Sequence, residues 1–229
     1  MSRLVVQSQG HRKRLRERFL KTGLDGFADH EVIELLLTLA IPRCDVKQPA
    51  KDLLQRFGNL RGILEAPIDE LSKVEGIGSV APIALQVVRA ASTLYLQQTA
   101  EGVDPLVDRR RLETTWRMKI GAVRNEVFEV AYLDASGCLL RNGLERLQQG
   151  TIDRATVYPR RVVESALRRG AAALVLAHNH PNGHVQPSEQ DKVLTRAIVL
   201  AAETVGIKIV DHLIVSAGES FSFREAGLL

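Results

Sequence analysis

Ala172-Ala-Leu-Val-Leu-Ala-His178-Asn-His180-Pro-Asn-Gly-His184-Val-Gln-Pro-Ser188-Glu-Gln-Asp191 is the stretch on which the reading of this chain turns. Up to His178 it is a short apolar run between Gly170 and a Pro/Asn/Gly cluster, the pattern of a buried strand. If the extended backbone continues, His178 and His180 share one face, ~6.6 Å apart along the chain. Pro181, Asn182 and Gly183 predict a turn, and Pro187 predicts the approach to a helix that begins at Ser188. Leu194, Ala197, Ile198, Ala201 and Val205 supply its core-facing stripe, and Gly206 can end it. Asp191 then falls in the first helical turn, close to the strand's end.

Two imidazoles and one carboxylate gathered in this way can grip one ion, with nitrogens about 2.0–2.1 Å from zinc. Three protein ligands leave a fourth position for water, as in catalytic zinc sites. Structural sites are instead closed by four side chains, usually including Cys, and Cys44 and Cys138 lie far from this stretch. Zinc lowers the pKa of bound water to about 7, but such a site still needs a proton shuttle that is not a ligand. Each piece also has a plainer reading. Ser188-x-x-Asp191 is a helix capping box in its own right, His-x-His can be a turn with solvated rings, and His184 reads as a rim residue. His-Asn-His also spells an HNH nuclease, but that ββα unit spreads its residues over a longer span. Combined on a strand–turn–helix frame, the pieces favour a metal.

His-x-His, seven residues, Ser, two residues, Asp resembles the JAMM motif of the MPN (JAB) metalloprotease family. Residues 11 to 215 are similar, more closely, to the bacterial RadC family. The likeness rests on His11-Arg-Lys-Arg-Leu-Arg-Glu-Arg-Phe19, Glu34-Leu-Leu-Leu37, Ala40-Ile-Pro-Arg43, Phe57-Gly58 and Gly76-Ile-Gly78. It continues through Glu126-Val-Phe128, Tyr132-Leu-Asp134, Gly150-Thr151, Tyr158-Pro-Arg160, Ala177-His-Asn-His-Pro181 and Asp211-His-Leu-Ile-Val215. This resemblance implies that His178, His180 and Asp191 hold one Zn2+ ion, that Ser188 polarises a carbonyl and stabilises its oxyanion, and that Glu126 is the general base. It also implies attack of zinc-bound water on an amide carbonyl, with a protein or peptide as substrate. The residues lend Glu126 support of their own. Asn125-Glu-Val-Phe-Glu-Val-Ala-Tyr-Leu-Asp134 alternates, so Glu126 shares an apolar face with Phe128, Val130 and Tyr132 while Glu129 points the other way. Without the resemblance, Glu126 would read as a strand-end carboxylate reaching solvent. Arg161 departs from the family, which more often has an acid there, and no physical account of that change offers itself.

The whole chain sets bounds. Its 229 residues suggest one or two domains, and 45% hydrophobic content is enough for packed cores. No apolar run reaches ~18 residues and no secretory leader is recognisable, so a cytoplasmic protein is expected. Two cysteines in separate regions imply no disulfide framework.

The expected fold is α+β. An all-helical domain with a helix-hairpin-helix covers residues 1–98, with helices at 29–40 (capped by Asp29), 47–57, 60–65, 68–74 and 79–97. A linker follows over 99–106, Thr99-Ala-Glu-Gly-Val-Asp-Pro105 being small, polar and broken by Gly and Pro. Residues 107–229 then form an α/β/α JAMM/MPN domain, which the resemblance gives a curved mixed sheet flanked by helices. A helix near 109–122 opens it, and a strand over Ile207–Val215 comes near its end.

DNA is a possible partner. Residues 1–18 carry six Lys/Arg, among them Arg12, Lys13, Arg14, Arg16 and Arg18, against Glu17 alone, and Gly76-Ile-Gly78 resembles a phosphate-binding hairpin. Ser79-Val-Ala-Pro82 follows where binding hairpins commonly have a cation, which weakens this reading. The leading expectation is a JAMM-type zinc hydrolase acting on a peptide or isopeptide bond. The alternatives are a DNA-associated repair or recombination accessory with little catalysis, and a metal-dependent nuclease.

Overall fold

A computed structural model describes residues 2–42, 44–105, 108–149 and 157–229. Arg43, Leu106 and the Gly150-Thr151 match therefore lie outside the described residues. The chain divides into two compact units, Met1–Ser92 and Thr93–Leu229.

The first unit is helical: α1 (Ser2–Thr22), α2 (Asp29–Ala40), α3 (Lys47–Phe57), α4 (Leu60–Glu65), α5 (Ile68–Leu71) and the start of α6 (Val80–Ala100). Its core gathers Ile33, Leu37, Ala50, Leu53, Ile63, Leu71, Ile77 and Leu85, drawn from the apolar stripes of successive helices. Asn59 caps α4, its side chain accepting from the Gly62 amide at 2.8 Å. Two expectations are corrected here. Asp29 is the first helical residue rather than the cap; Ala28 precedes it, and the Glu31 carboxylate accepts from the Ala28 amide at 3.0 Å. The helix expected at 68–74 stops at Leu71, because the chain turns at Val74 toward Gly76 and Gly78, both at positive φ.

The second unit is a three-layer sandwich. After α7 (Arg109–Ile120) come β1 (Val127–Leu133), β2 (Leu139–Gln149), α8 (Pro159–Arg169), β3 (Ala173–Asn179), α9 (Glu189–Glu203), β4 (Lys208–Val215) and β5 (Ser220–Ser222). The sheet order is β2-β1-β3-β4-β5, with β3 and β4 parallel and the other neighbours antiparallel. Strands β1 and β3 are buried along their whole length. Alternation sends Val127, Ala131, Ala173, Val175 and Ala177 toward Leu112, Trp116 and Ile120 of α7. The other face packs Phe128, Val130, Tyr132, Leu174 and Leu176 against Val162 and Ala166 of α8 and Ile198 and Ala202 of α9. A sheet apolar on both faces needs helices on both, and it has them.

Two details differ from the sequence reading. In α9 the buried face runs through Asp191, Thr195, Ile198 and Ala202, while Val205 lies past the helix and is exposed. The stretch 99–106 is not loose where it is described. Thr99 and Ala100 end α6, Ala100 is buried in the sheet's core, and the Gly102 amide donates to the Leu139 carbonyl while the Leu139 amide donates to Val103. No helix among the described residues is long and apolar enough to cross a membrane.

Candidate metal centre

The end of β3 carries His178 and, just beyond it, His180; the first turn of α9 brings Asp191 against them. His178 Nε2 lies 3.0 Å from His180 Nε2. Asp191 Oδ1 is 3.3 Å from the first nitrogen, and Asp191 Oδ2 is 3.4 Å from the second. Ligand atoms placed tetrahedrally around a zinc ion at 2.0–2.1 Å stand about 3.3–3.4 Å apart, and one ligand atom from each of the three residues lies within 4.8 Å of the others, close enough to close on one ion. The fit is also chemical. His180 Nδ1 gives its proton to the His184 carbonyl at 2.7 Å, which leaves His180 Nε2 a bare lone pair. That lone pair faces another ring nitrogen and a carboxylate, an electron-rich cluster that only a cation or a proton makes favourable. Burial opposes ionisation of Asp191, but His178 and His180, when their Nε2 atoms carry a proton, outweigh it by hydrogen bonding and hold the carboxyl well below its ordinary range. His180 is shifted upward, mainly by its bond to Asp191, with Glu126 adding through its charge.

Ser188 is the N-cap of α9. Its amide and its hydroxyl both donate to Asp191 Oδ2 at 2.6 Å, and its Oγ accepts from the Asp191 amide at 3.2 Å. The capping box and the metal-site reading are thus one structure: the cap fixes the carboxylate that faces the imidazoles. As it stands, the Ser188 proton is directed at Asp191 and not at a substrate. Glu126 is half-buried and immediately precedes β1. Phe128 pairs with His178 across the antiparallel strands, and the charge of Glu126, two residues before Phe128, acts on His180. Glu129 points away, as expected. It is fully buried beneath α7, bonded to Trp116 Nε1 at 3.2 Å and paired with Lys119 at 2.8 Å and Arg146 at 3.2 Å.

Sequence reasoning assigned no role to Asn179, Thr195 or His212, all buried at the site. Asn179 faces away from the imidazoles, accepts from the Val127 amide at 2.8 Å and donates to the carbonyls of Val123 and Asn125. His212, on β4, lies 2.8 Å from His178 Nδ1 and 2.7 Å from the Thr195 hydroxyl. It is stacked on Phe223 and meets the edge of Phe128. Burial, foremost, pushes its pKa well down. A polar ring at a buried position of the apolar run 207–215 was the available signal. His184 contributes its main-chain carbonyl, and its side chain is exposed. Arg161 is exposed at the start of α8, and nothing in the structure explains it.

The cations named for DNA contact are only partly available. Arg12 donates to the carbonyls of Ile41 and Cys44, Arg18 pairs with Glu31 at 2.5 Å, and Lys13 pairs with Glu17 at 3.8 Å, while Arg14 and Arg16 are exposed.

A mixed sheet closed by helices on both faces, with a His/His/Asp group at the end of an inner strand, defines a JAB-type domain with a potential metal site. Known proteins agree. A family model described as the RadC-like JAB domain matches residues 108–228, and one described as UPF0758 N-terminal matches residues 6–83. A UPF0758 protein of Fusobacterium nucleatum is 35% identical over 230 residues, covering 97% of this chain and 98% of its own. One from Ruegeria pomeroyi is 38% identical over 225 residues, covering 96% and 97%, and one from Burkholderia cenocepacia is 39% identical over 217 residues, covering 95% and 84%. The chain belongs to the UPF0758 family and carries a RadC-like JAB domain. JAB domains can be hydrolases and often bind zinc.

Proposed function

We propose that this protein is a zinc-dependent hydrolase of JAMM type that cleaves a peptide or isopeptide bond. The observation that supports it is the grouping of His178, His180 and Asp191, with one ligand atom from each within 4.8 Å of the others. Zinc held there would supply a Lewis acid for a carbonyl oxygen and acidify a water to a pKa of about 7. Glu126 takes the proton of the attacking water and passes it to the amine that leaves. Asp191 keeps its orientation through the Ser188 amide and hydroxyl. Turning that hydroxyl from Asp191 toward a substrate carbonyl would let Ser188 donate to the developing oxyanion.

Metal analysis of purified protein, paired with cleavage of a proteome-derived peptide mixture, tests the reading. We expect about one zinc per chain, with peptide cleavage abolished by chelation and restored by zinc. Glu126→Gln is expected to keep the metal and lose about 10²–10⁴-fold in turnover, as removal of a positioned acid–base group does. Asp191→Ala is expected to lose both. Zinc retained at wild-type stoichiometry by the Asp191 variant would overturn the ligand assignment. Zinc-restored cleavage of DNA without cleavage of peptides would overturn the substrate class.

A further inference from the structure

Behind the candidate metal centre runs a chain of hydrogen bonds whose direction is settled at its far end. Thr195 Oγ1 lies 2.6 Å from the main-chain carbonyl of Asp191 and 2.7 Å from His212 Nδ1. A hydroxyl has one proton and a carbonyl oxygen can only accept, so that proton goes to Asp191. His212 Nδ1 must then donate to Thr195. Full burial between Phe223 and Phe128 favours the neutral ring, which has only one N–H, so His212 Nε2 is an acceptor, and the atom 2.8 Å from it is His178 Nδ1. His178 therefore carries its proton on Nδ1 and presents a lone pair at Nε2, the nitrogen that faces His180 and Asp191. The opposite arrangement would leave the Thr195 and Asp191 oxygens 2.6 Å apart with no proton between them.

We infer that Thr195 and His212 form a tautomer relay, anchored on the Asp191 carbonyl, that holds His178 Nε2 deprotonated and ready to bind a cation. Both are positioning residues, since each acts through His178. The surroundings suit that task. His212 is fully buried and flanked by Phe223 and Phe128, so no water competes for its nitrogens. Thr195 sits one helical turn after Asp191, so the residue that offers the carboxylate also offers the carbonyl that orients the imidazole. One turn of α9 thereby sets two of the three donors. Partners behind a ligand typically change metal affinity by 10–100-fold when removed.

The affinity part of this inference rests on the zinc reading; the tautomer part does not. Long-range ¹H–¹⁵N correlation spectra of the metal-free, full-length protein at about pH 9, where imidazoles are ordinarily neutral, read the tautomer directly. His178 is assigned by the signals missing in His178→Gln. We expect His178 and His212 both protonated at Nδ1. Thr195→Val, which keeps shape and removes the hydroxyl, is expected to mix the His178 tautomers and weaken zinc binding 10–100-fold in chelator competition. Thr195→Ser is expected to restore both readouts to within about threefold. An Nε2-protonated His178 in the wild type overturns the relay, as does a folded Thr195→Val variant with unchanged tautomer and affinity. If the valine variant fails to fold, the wild-type spectrum alone decides. A wild type that binds no zinc but shows the expected tautomers would sink the metal reading and leave the relay standing.

Discussion

Asn179 stands between the two imidazoles and faces the other way. Its amide satisfies three backbone groups, the Val127 amide and the carbonyls of Val123 and Asn125, and so fastens the segment that carries Glu126 to the strand that carries the histidines. Asn179→Ala would leave those groups unpaired at about 1–3 kcal/mol each if dry. Entering water would return part of that, so a net loss of about 2–4 kcal/mol is expected in denaturant unfolding. Because the histidines are untouched, turnover should fall further than zinc content; equal losses of both would show that Asn179 does not position Glu126. The raised proton affinity of His180 makes a second prediction at this scale. In metal-free protein its protonated form helps the fold below about pH 6.5, and that help is lost as pH rises through the shifted pKa. Zinc must displace the same proton, so its stabilising effect should grow over that interval. Melting temperatures with chelator and with zinc, taken between about pH 5.5 and 8.5, should therefore trend in opposite directions.

At the scale of elements, α7 is pinned to the sheet by a carboxylate. Glu129 lies on the α7 face of β1, where alternation alone would place an apolar residue, and it answers Trp116, Lys119 and Arg146 at once. Glu129→Leu removes a buried charge yet leaves the indole N–H unpaired and takes from Lys119 and Arg146 the carboxylate they face. Lys119 and Arg146 can reach solvent, which moderates the loss to about 2–3 kcal/mol of unfolding free energy, below the usual figure for a broken buried pair. An unchanged unfolding midpoint would show that the three partners contribute nothing net. Periodicity revealed β1, β3, β4 and α9 because each carries enough apolar positions to show its period. It revealed less of β2, an edge strand whose sequence from Arg141 to Gln149 is largely polar, and nothing of the three-residue β5, whose identity comes from pairing with Leu213–Val215. Local hydropathy draws the buried face of α9 through Val205, because it outweighs Asp191 and Thr195 in the pattern. Those polar residues are buried because they have partners, which no hydropathy pattern records.

At the scale of the molecule, the two units have separate cores, and every residue proposed for the metal and its relay lies in Thr93–Leu229. A fragment starting at Thr93 is therefore expected to bind zinc within about threefold of the full chain. Starting instead at Asp108, where the RadC-like match begins, would remove buried Ala100 and the backbone bonds that join Gly102 and Val103 to Leu139. That shorter fragment should unfold about 1–3 kcal/mol more easily. Equal stability of the two fragments would count against any structural role for the segment between the matched regions.

The three candidate donors and their strand–turn–helix frame were legible in the sequence alone, since alternation, a Pro/Asn/Gly turn and a helix cap act over a few neighbouring residues. Which nitrogen of His178 is bare, and what fastens the segment carrying Glu126 to the strand of the histidines, only the tertiary structure decided. The groups responsible, His212 and Asn179, meet their partners 34 and 52 residues away in the chain. Such meetings arise from sheet order and helix packing, which set long-range neighbours that local spacing does not encode.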